Sequence, residues 1–399
     1  MSTHPQTNAL RLVGVSGTNK VMAGEMSRLA RRASLPDKLP EPLKDGLGSL
    51  VYPFDPAVAL LAARYHRTSI RVLWDLYETR ATRLEPLYDD LVEQIQRDDR
   101  GWLHNPLTIS VDARRMEEFA AGERQIVGTV KNAVIDGAAR RRITVSVDAE
   151  RPDVLIDVRL REGLLTVSID LAGRPMHQRG YRREGGVAPL KENLASVLVM
   201  LGRHDARSEP LVDPMAGSGT IAIESALMGR GVPVWVPPRS AACERMELLA
   251  SHAKEQARSL FPDTQPLVFA NEIDRDSAAA CKEHVRRAGV ASMVRCSHGD
   301  FRDLDPHAVL QACASRGMGA TGLILTNPPY GERLGSAMGP SELYATYRDL
   351  GLWCREFRGW RAGILAGNEA FVECFGGKPR VQKPLSNGPI RSVFLLYEL

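Results

Sequence analysis

The sequence predicts an α/β fold in which a mostly parallel, seven-stranded sheet follows a small α+β module. Three observations lead to this prediction. A strand, a glycine-containing loop and a helix follow one another over residues 209–228, and an apolar run over 321–326 ends at two adjacent prolines. Two strands of strict apolar alternation lie at 154–160 and 165–171. Alternating strands and helices are typical of parallel sheets, whereas paired alternating strands joined by a short turn are typical of antiparallel ones.

The composition is that of an ordinary soluble protein. The chain has 399 residues, of which 44% are apolar and 25% charged, so it can form two or three domains and is neither disordered nor fibrous. The net charge of +4 permits a polyanionic partner without requiring one. The six cysteines lack metal-ligand spacing, so no metal site is predicted. Without a long apolar run or a secretory signal, we expect a cytoplasmic protein that does not enter a membrane. We also expect a monomer.

Residues 1–50 are predicted to be an N-terminal arm or linker of unknown role. The segment is polar and rich in basic residues, and its helical candidate lies near residues 23–33. Prolines and glycines are frequent after that candidate, where they interrupt regular structure. We therefore assign this arm no function.

Residues 51–172 are predicted to form the small α+β module. A helical pattern, a strand, a second helix and two alternating strands follow one another at 57–95, 107–112, 123–139, 154–160 and 165–171. Glu162 and Gly163 turn the chain between the last two strands. The module contains neither a candidate nucleophile set nor a metal cluster. We therefore predict that it binds a partner and performs no chemistry.

A basic connector follows at residues 173–185. In it, Tyr181 lies among Arg179, Arg182 and Arg183. A tyrosine between arginines can stack on a base while the arginines contact phosphates, which is how single-stranded RNA is often held. On the charge pattern alone a plain linker is an equally good interpretation.

The predicted catalytic domain spans residues 186–399 and begins with the strand, loop and helix near residue 213. The loop reads Asp213-Pro214-Met215-Ala216-Gly217-Ser218-Gly219-Thr220. Its two glycines allow the backbone to approach a ligand closely, and Asp213 at the strand end can hold a cationic amine. It is not a phosphate-binding P-loop, because no Lys-Ser/Thr pair follows the glycines, and its spacing differs from the dinucleotide fingerprint. A tight turn without a ligand is the alternative.

Acidic residues follow the next two predicted strands. Glu272 comes after the strand over 266–270 and can accept hydrogen bonds from ribose hydroxyls. Asp300 and Phe301 come after the strand over 293–296. There, Asp300 can accept a hydrogen bond from an adenine amine while Phe301 packs the ring. A helix cap with a core phenylalanine is the alternative for this pair.

The apolar run over 321–326 leads directly into Asn327-Pro328-Pro329-Tyr330. Neither proline can donate a backbone N–H, so the strand ends there and its end is rigid. Asn327 offers a side-chain carbonyl, Pro328 a backbone carbonyl and Tyr330 an aromatic ring. Two acceptors that bind both hydrogens of an exocyclic amine leave the nitrogen lone pair free, so no strong base is required. A strand-ending turn is the alternative.

The remaining segments complete the predicted sheet. A helix is expected over 341–357 and a fifth strand over 360–365. Two further strands, at 380–385 and 393–397, flank Asn387-Gly388, which is a hairpin signal. The last two strands are therefore expected to be antiparallel.

These motifs together resemble the class I, Rossmann-like, S-adenosylmethionine-dependent methyltransferases that act on amino groups. With Arg179-Gly180-Tyr181-Arg182 and Ala188-Pro189-Leu190-Lys191-Glu192 before them, they resemble more narrowly the THUMP-containing RNA guanine-N2 methyltransferases. The resemblance covers roughly residues 60–399. It implies that residues 51–172 are a THUMP RNA-binding domain with a ferredoxin-like companion, whereas residues 1–50 do not look like the usual start of that subdomain.

The resemblance implies methyl transfer from S-adenosylmethionine to the exocyclic N2 amine of a guanine in structured RNA, with 23S ribosomal RNA the expected substrate. A guanine in tRNA, an adenine in DNA and a protein glutamine are alternative substrates, and a non-catalytic RNA-binding or ribosome assembly factor is an alternative of another class. The target guanine would be held by Asn327, Pro328 and Tyr330. The cofactor would be held by Asp213, Met215, Ala216, Gly217, Ser218, Gly219, Thr220, Glu272, Ile273, Asp300 and Phe301.

Overall fold

The computed structural model describes residues 7–35, 37, 39–44, 46, 48–114, 119–182, 190–236, 241–250, 252, 258–331, 339–387 and 390–399. The chain divides into two compact units. The first comprises residues 1–14, 22–176 and 237–257, and the second comprises 15–21, 177–236 and 258–399. The predicted catalytic domain is thus interrupted by a segment that belongs to the first unit. Within the described residues, no helix combines the length and apolar character needed to cross a membrane.

Eight strands form the sheet of the first unit: β1 (Ala9–Gly14), β2 (Leu43–Lys44), β3 (Ser49–Pro53), β4 (Ser69–Thr79), β5 (Leu107–Arg114), β6 (Val145–Val147), β7 (Val154–Arg161) and β8 (Leu164–Asp170). Their order in the sheet is β2-β3-β1-β4-β8-β7-β5-β6. Neighbours are antiparallel, except that β5 is parallel to both β6 and β7. The helices along this part of the chain are α1 (Asn19–Arg32), α2 (Pro56–Tyr65), α3 (Leu84–Gln96) and α4 (Glu123–Ala139).

The prediction of an N-terminal arm over residues 1–50 is wrong, although its helical candidate is found as α1. β1 lies inside the sheet and pairs with both β3 and β4. Leu10 and Leu12 are fully buried on one face, while Arg11 on the other face forms an ion pair with Asp75. Asp75 is 64 residues away, so the local sequence does not show that Arg11 is paired. The strand therefore looks like part of a polar linker.

The prediction of helical structure over 57–95 is also wrong in part, because the structure has the strand β4 in the middle of this range. Val72, Leu73 and Leu76 recur at helix-like intervals, yet all three lie in this strand and are buried. A strand that is covered on both faces has no alternation of polar and apolar residues, so its periodicity cannot be told from that of a buried helix.

Seven strands form the sheet of the second unit: β9 (Leu211–Asp213), β10 (Val268–Glu272), β11 (Val294–His298), β12 (Leu323–Thr326), β13 (Arg361–Ala366), β14 (Val381–Asn387) and β15 (Ile390–Glu398). Their order is β11-β10-β9-β12-β13-β15-β14. The first five strands are parallel, and β15 is antiparallel to β13 and β14. The predicted seven-stranded α/β sheet with a terminal antiparallel hairpin is therefore confirmed.

Helices cover both faces of this second sheet. They are α5 (Glu192–Leu201), α6 (Thr220–Arg230), α8 (Arg275–Arg287), α9 (Pro306–Ala314), α10 (Pro340–Arg355) and α11 (Phe371–Phe375), whereas α7 (Glu247–Ala250) lies in the segment of the first unit. Successive residues of β9 belong to different cores. Leu211 packs in a cluster with residues of α5, α6 and α8, and Val212 packs in a cluster with residues of α9 and α10. A sheet that is apolar on both faces in this way is buried between two helical layers.

Candidate active site

The predicted site residues lie at one edge of the second sheet. β9 and β12 are neighbouring parallel strands, with Leu323 opposite Leu211 and Ile324 opposite Val212. Asp213 ends β9, and Asn327 directly follows the end of β12. Because parallel strands have their carboxyl ends at the same edge, the glycine loop and the Asn-Pro-Pro-Tyr segment are neighbours, in the crevice where open α/β sheets bind ligands.

The two glycines of the loop differ in what surrounds them. Both adopt the left-handed region, with φ of +53° at Gly217 and +84° at Gly219. A Cβ at Gly219 would lie 2.5 Å from the Sγ atom of Cys281, so this position must be glycine for α8 to pack against the loop. A Cβ at Gly217 would meet nothing within 4 Å. The loop is therefore packed tightly against α8 at Gly219, whereas there is open space next to Gly217.

Asp213 is a buried carboxyl group at the end of β9. Its Oδ1 accepts a hydrogen bond of 3.3 Å from the Met215 N–H. Burial raises the pKa of Asp213 to about 7, against the opposing effects of the Thr326 hydroxyl and the Met215 N–H, while the charge of Glu272 adds to the increase. A buried carboxyl with a raised pKa is stabilised in its charged form by a cationic group.

Glu272 ends β10 and contacts the glycine loop. Its Oε2 accepts the Gly217 N–H at 2.6 Å, and its Oε1 accepts the Asp274 N–H at 2.9 Å. Each carboxylate oxygen can accept a further hydrogen bond. The next residue, Ile273, has 63% of its surface exposed, which is unusual for a large aliphatic side chain. The end of β10 therefore presents a charged and an apolar surface beside the loop.

The structure supports the cap alternative for Asp300 and the core alternative for Phe301. Asp300 begins a short 3₁₀ helix; its Oδ1 accepts the Arg302 N–H at 3.0 Å and its Oδ2 pairs with the Arg302 guanidinium at 2.8 Å. Phe301 is buried and packs edge-on against Trp353. Contact between adenine and Asp300 remains a prediction, whereas the ring of Phe301 is already covered by protein.

Asn271 is a residue of this site that the sequence reasoning missed. Its Nδ2 donates to the carbonyl oxygens of Pro214, at 3.3 Å, and Gly299, at 2.9 Å, and its Oδ1 accepts the Ser297 hydroxyl at 2.7 Å. Its backbone carbonyl accepts the Ala216 N–H at 2.8 Å. One side chain of β10 thus connects the loops that follow β9 and β11. A buried asparagine in an apolar strand must find such partners, which is the signal that could have identified it.

Replacing Asn271 with alanine is expected to loosen the glycine loop. The substitution leaves the hydrogen-bonding groups of Pro214, Gly299 and Ser297 without their partner, and we expect the free energy of unfolding to fall by about 2 kcal/mol. Urea denaturation measures this effect. Ser297→Ala removes only one of the contacts and is the matched control, for which a smaller loss is expected. Equal losses in the two variants would contradict the connecting role of Asn271.

The Asn-Pro-Pro-Tyr segment is held by its own residues and by two others. The Tyr330 hydroxyl donates to Oδ1 of Asn327, so the tyrosine fixes the orientation of the amide. The Tyr347 hydroxyl donates to the Pro329 carbonyl at 2.6 Å, and Nδ2 of Asn368 donates to the Tyr330 carbonyl at 3.3 Å. Only 7% of the Tyr330 surface is exposed. The ring therefore acts chiefly as a support for Asn327 in this structure, a role that differs from the predicted open stacking face.

Gly367, which directly follows β13, provides the space for the Tyr330 ring. A Cβ at Gly367 would lie 2.6–2.8 Å from three ring atoms of Tyr330. Gly367→Ala is therefore expected to displace the ring, with its hydroxyl, from Asn327. We expect the turnover number of the enzymatic reaction to fall at least about tenfold, because small displacements of reacting groups cost that much or more. Gly128→Ala, at a helical position with no atom within 4 Å of the added Cβ, is the control.

The predicted RNA-binding roles of Arg179 and Tyr181 are wrong, because both side chains are fully buried in the second unit. Both side chains contact Glu224 of α6. Its Oε1 accepts a hydrogen bond of 3.4 Å from Nε of Arg179 and one of 3.2 Å from the Tyr181 hydroxyl. Ser196 donates to the other carboxylate oxygen at 2.9 Å. Burial, with the nearby charge of Glu224, raises the pKa of Tyr181 well above its usual value.

Arg182 also faces the interior of this unit. Its guanidinium donates to the Thr220 hydroxyl and, at 2.7 Å, to the Leu190 carbonyl. It therefore supports the start of α6, directly after the glycine loop. Arg183 lies outside the described residues, so its predicted contact with RNA stays a prediction. The predicted connector is thus largely a structural part of the second unit.

A doubly wound parallel sheet that carries this loop and Asn-Pro-Pro-Tyr at adjacent strand ends has the class I methyltransferase fold. The chain belongs to the UPF0020 family of RMKL-like methyltransferase domains, whose family model matches residues 179–394. The match includes both the glycine loop and the Asn-Pro-Pro-Tyr segment. The family assignment therefore rests on the same residues as the geometry of the site.

Curated relatives extend the similarity into the first unit. The ribosomal RNA large subunit methyltransferase K/L of Chromohalobacter salexigens is 34% identical over 323 residues, which are 77% of this chain and 42% of that protein. The protein of the same name from Syntrophotalea carbinolica is 34% identical over 308 residues, which are 73% of this chain and 41% of that protein. The chain thus spans less than half the length of these relatives.

A solved structure resembles the whole chain. The crystal structure of SMU.472 in complex with SAH matches with a TM-score of 0.79 at 22% sequence identity, over 99% of each chain. At this identity the likeness concerns the fold alone. It extends over both units, so the first unit, like the second, has a counterpart of known structure.

Proposed function

We propose that this chain transfers a methyl group from S-adenosylmethionine to the exocyclic N2 amine of a guanine in 23S ribosomal RNA. The observation that carries the proposal is the position of Asn327 and Pro328 at the end of β12, beside the glycine loop at the end of β9. The relatives are named ribosomal RNA large subunit methyltransferases, which supports the choice of RNA. Guanine-N2 as the target follows from the resemblance of the motifs.

The residues around the glycine loop fit S-adenosylmethionine. Asp213, a buried carboxyl whose pKa is raised to about 7, suits an ammonium group, and the open space at Gly217 suits a ligand that lies against the loop. Glu272 can accept hydrogen bonds from ribose hydroxyls, and the exposed Ile273 offers an apolar surface for a base. When bound, the cofactor supplies an electrophilic methyl group on a sulfonium sulfur.

The Asn-Pro-Pro-Tyr segment would bind and orient the target amine. Oδ1 of Asn327 and the carbonyl oxygen of Pro328 would accept its two hydrogens, so that the nitrogen lone pair is directed away from them. Asn327 can do this while it also accepts the Tyr330 hydroxyl, because a carbonyl oxygen has two lone pairs. The groups act by position and hydrogen bonding, and the support from Tyr347 and Asn368 keeps them in place.

The first unit is proposed to bind the RNA. A guanine in a helix would have to leave its stack to reach the strand ends, at a cost of a few kcal/mol, which contacts elsewhere on the RNA can offset.

We further propose that the enzyme acts as a monomer in the cytoplasm. Size-exclusion chromatography of the purified chain tests the monomer, which a dimer peak would contradict.

Methyl transfer to separate cellular fractions tests the proposed substrate class. Labelled S-adenosylmethionine is incubated with the protein and with ribosomal RNA, transfer RNA, DNA or protein from cells that lack this activity. Label in the 23S ribosomal RNA is expected. Label in transfer RNA, DNA or protein instead would support one of the alternative substrates. Cofactor binding without transfer to any fraction would support a non-catalytic assembly factor.

A further inference from the structure

A cavity of about 580 Å³ lies within the first unit, outside the candidate active site. Its charged lining residues are Arg151, Arg174, Arg245 and Glu150. All three arginines are exposed, and they come from three separate segments: the turn before β7, the turn after β8 and a 3₁₀ helix at Ala242–Arg245. We call the three arginines and their cavity the arginine pocket.

Hydrogen bonds and close packing hold the wall of the arginine pocket in place. Oδ1 of Asp170 accepts the N–H groups of Ala172 and Gly173, at 3.0 and 3.1 Å, and so shapes the turn after β8. The Ala242 N–H donates to the Ala172 carbonyl at 3.2 Å. Gly173 has a φ of +74°, and a Cβ there would lie 2.5 Å from the Cβ of Ala242. The 3₁₀ helix is therefore fixed tightly against the turn that carries Arg174.

The charged side chains that line the pocket favour an anionic ligand. Three arginines and one glutamate line it, an excess of two positive charges in the lining itself. Asp148 and Asp153, outside the lining, interact electrostatically with Arg151 and Arg245 respectively. Glu244, the neighbour of Arg245 in the 3₁₀ helix, pairs instead with Arg64 of α2 at 3.3 Å. Arginines from three segments thus surround a single cavity, and among the described residues of its lining Glu150 is the only acidic one.

We propose that the arginine pocket binds phosphodiester groups of the RNA substrate. The guanidinium group matches phosphate oxygens in a bidentate geometry, and several such groups around one cavity can follow the bend of a nucleic-acid backbone. Contacts of this kind fix where the RNA lies without reading its sequence. This inference rests on the proposed function, because it takes RNA as the substrate.

Binding of 23S ribosomal RNA made by transcription in vitro tests the pocket, with full-length protein at several salt concentrations. Each lost phosphate contact is expected to weaken binding about 5- to 10-fold near 0.15 M salt and to reduce the slope of log affinity against log salt by about 1. Arg174→Gln with Arg245→Gln should therefore reduce the slope by about 2. Arg174→Lys with Arg245→Lys, which keeps both charges, should restore most of it.

Arg97→Gln is the matched control, because Arg97 is an exposed arginine of the first unit outside the pocket. Its slope should equal that of the wild type, and no variant should change the affinity for S-adenosylmethionine. An unchanged slope in the double glutamine variant would overturn the inference. If the wild-type protein neither binds nor methylates RNA, it is the proposed function that fails.

Discussion

Replacing Asn327 with alanine is expected to lower the turnover number by about 10²–10³-fold, the range for loss of one preorganised hydrogen-bonding group at a reacting centre. The affinity for S-adenosylmethionine should change less than about threefold, because Asn327 follows β12, whereas the glycine loop that would hold the cofactor follows β9. Single-turnover methyl transfer to RNA and calorimetric titration with the cofactor measure the two effects separately.

Asn132→Ala is the control for this substitution, since Asn132 is an exposed asparagine of α4 in the first unit. It should leave both measurements unchanged. Wild-type turnover in the Asn327 variant would show that the amine does not need this carbonyl, and the proposed activation would have to be abandoned.

Replacing Asp213 with asparagine is expected to weaken S-adenosylmethionine binding by roughly 10- to 100-fold, because a charged hydrogen bond contributes about 1.5–3 kcal/mol. Turnover at saturating cofactor should change much less. The affinity of the wild-type protein should also rise as the pH increases towards 7 and level off above it, since only the ionised carboxyl pairs with a cation. An affinity that does not depend on pH and survives the substitution would contradict this role.

The same carboxyl group should limit the stability of the free protein at high pH. Burial raises its pKa from an ordinary value of 3.8 to about 7, so the folded state binds a proton more tightly than the unfolded state. The resulting stabilisation is complete below about pH 4 and is lost as the pH rises through 7. Since one pKa unit corresponds to about 1.4 kcal/mol, Asp213→Asn should raise the free energy of unfolding at pH 8 by up to about 4 kcal/mol. Urea denaturation at pH 5 and pH 8 measures the difference, which should be larger at pH 8.

The features that could be predicted from the sequence are those with local causes. The paired prolines end β12, and the parallel strands β9 to β13 and the terminal hairpin are found where their patterns predict them. Asp213, Glu272 and Asn327 stand at the ends of adjacent strands because parallel topology brings those ends together. Their positions therefore follow from the order of strands and helices along the chain.

The features that could not be predicted depend on partners far along the chain. Arg179 and Tyr181 look like a surface cluster for RNA, and only Glu224, 43 to 45 residues later, explains why they turn inward. The polar appearance of β1 has the same cause, since Asp75 neutralises its arginine. Gly367 was missed because its importance lies in its contact with the Tyr330 ring, which no local pattern reveals.

Mass spectrometry of nucleosides tests the central claim most directly. In the experiment, 23S ribosomal RNA transcribed in vitro is incubated with S-adenosylmethionine and either the wild-type protein or the Asn327→Ala variant, and is then digested to nucleosides. The proposed mechanism predicts N2-methylguanosine with the wild-type protein and almost none with the variant. A methylated adenosine, a guanosine methylated on a ring nitrogen, or no methylated nucleoside at all would contradict it.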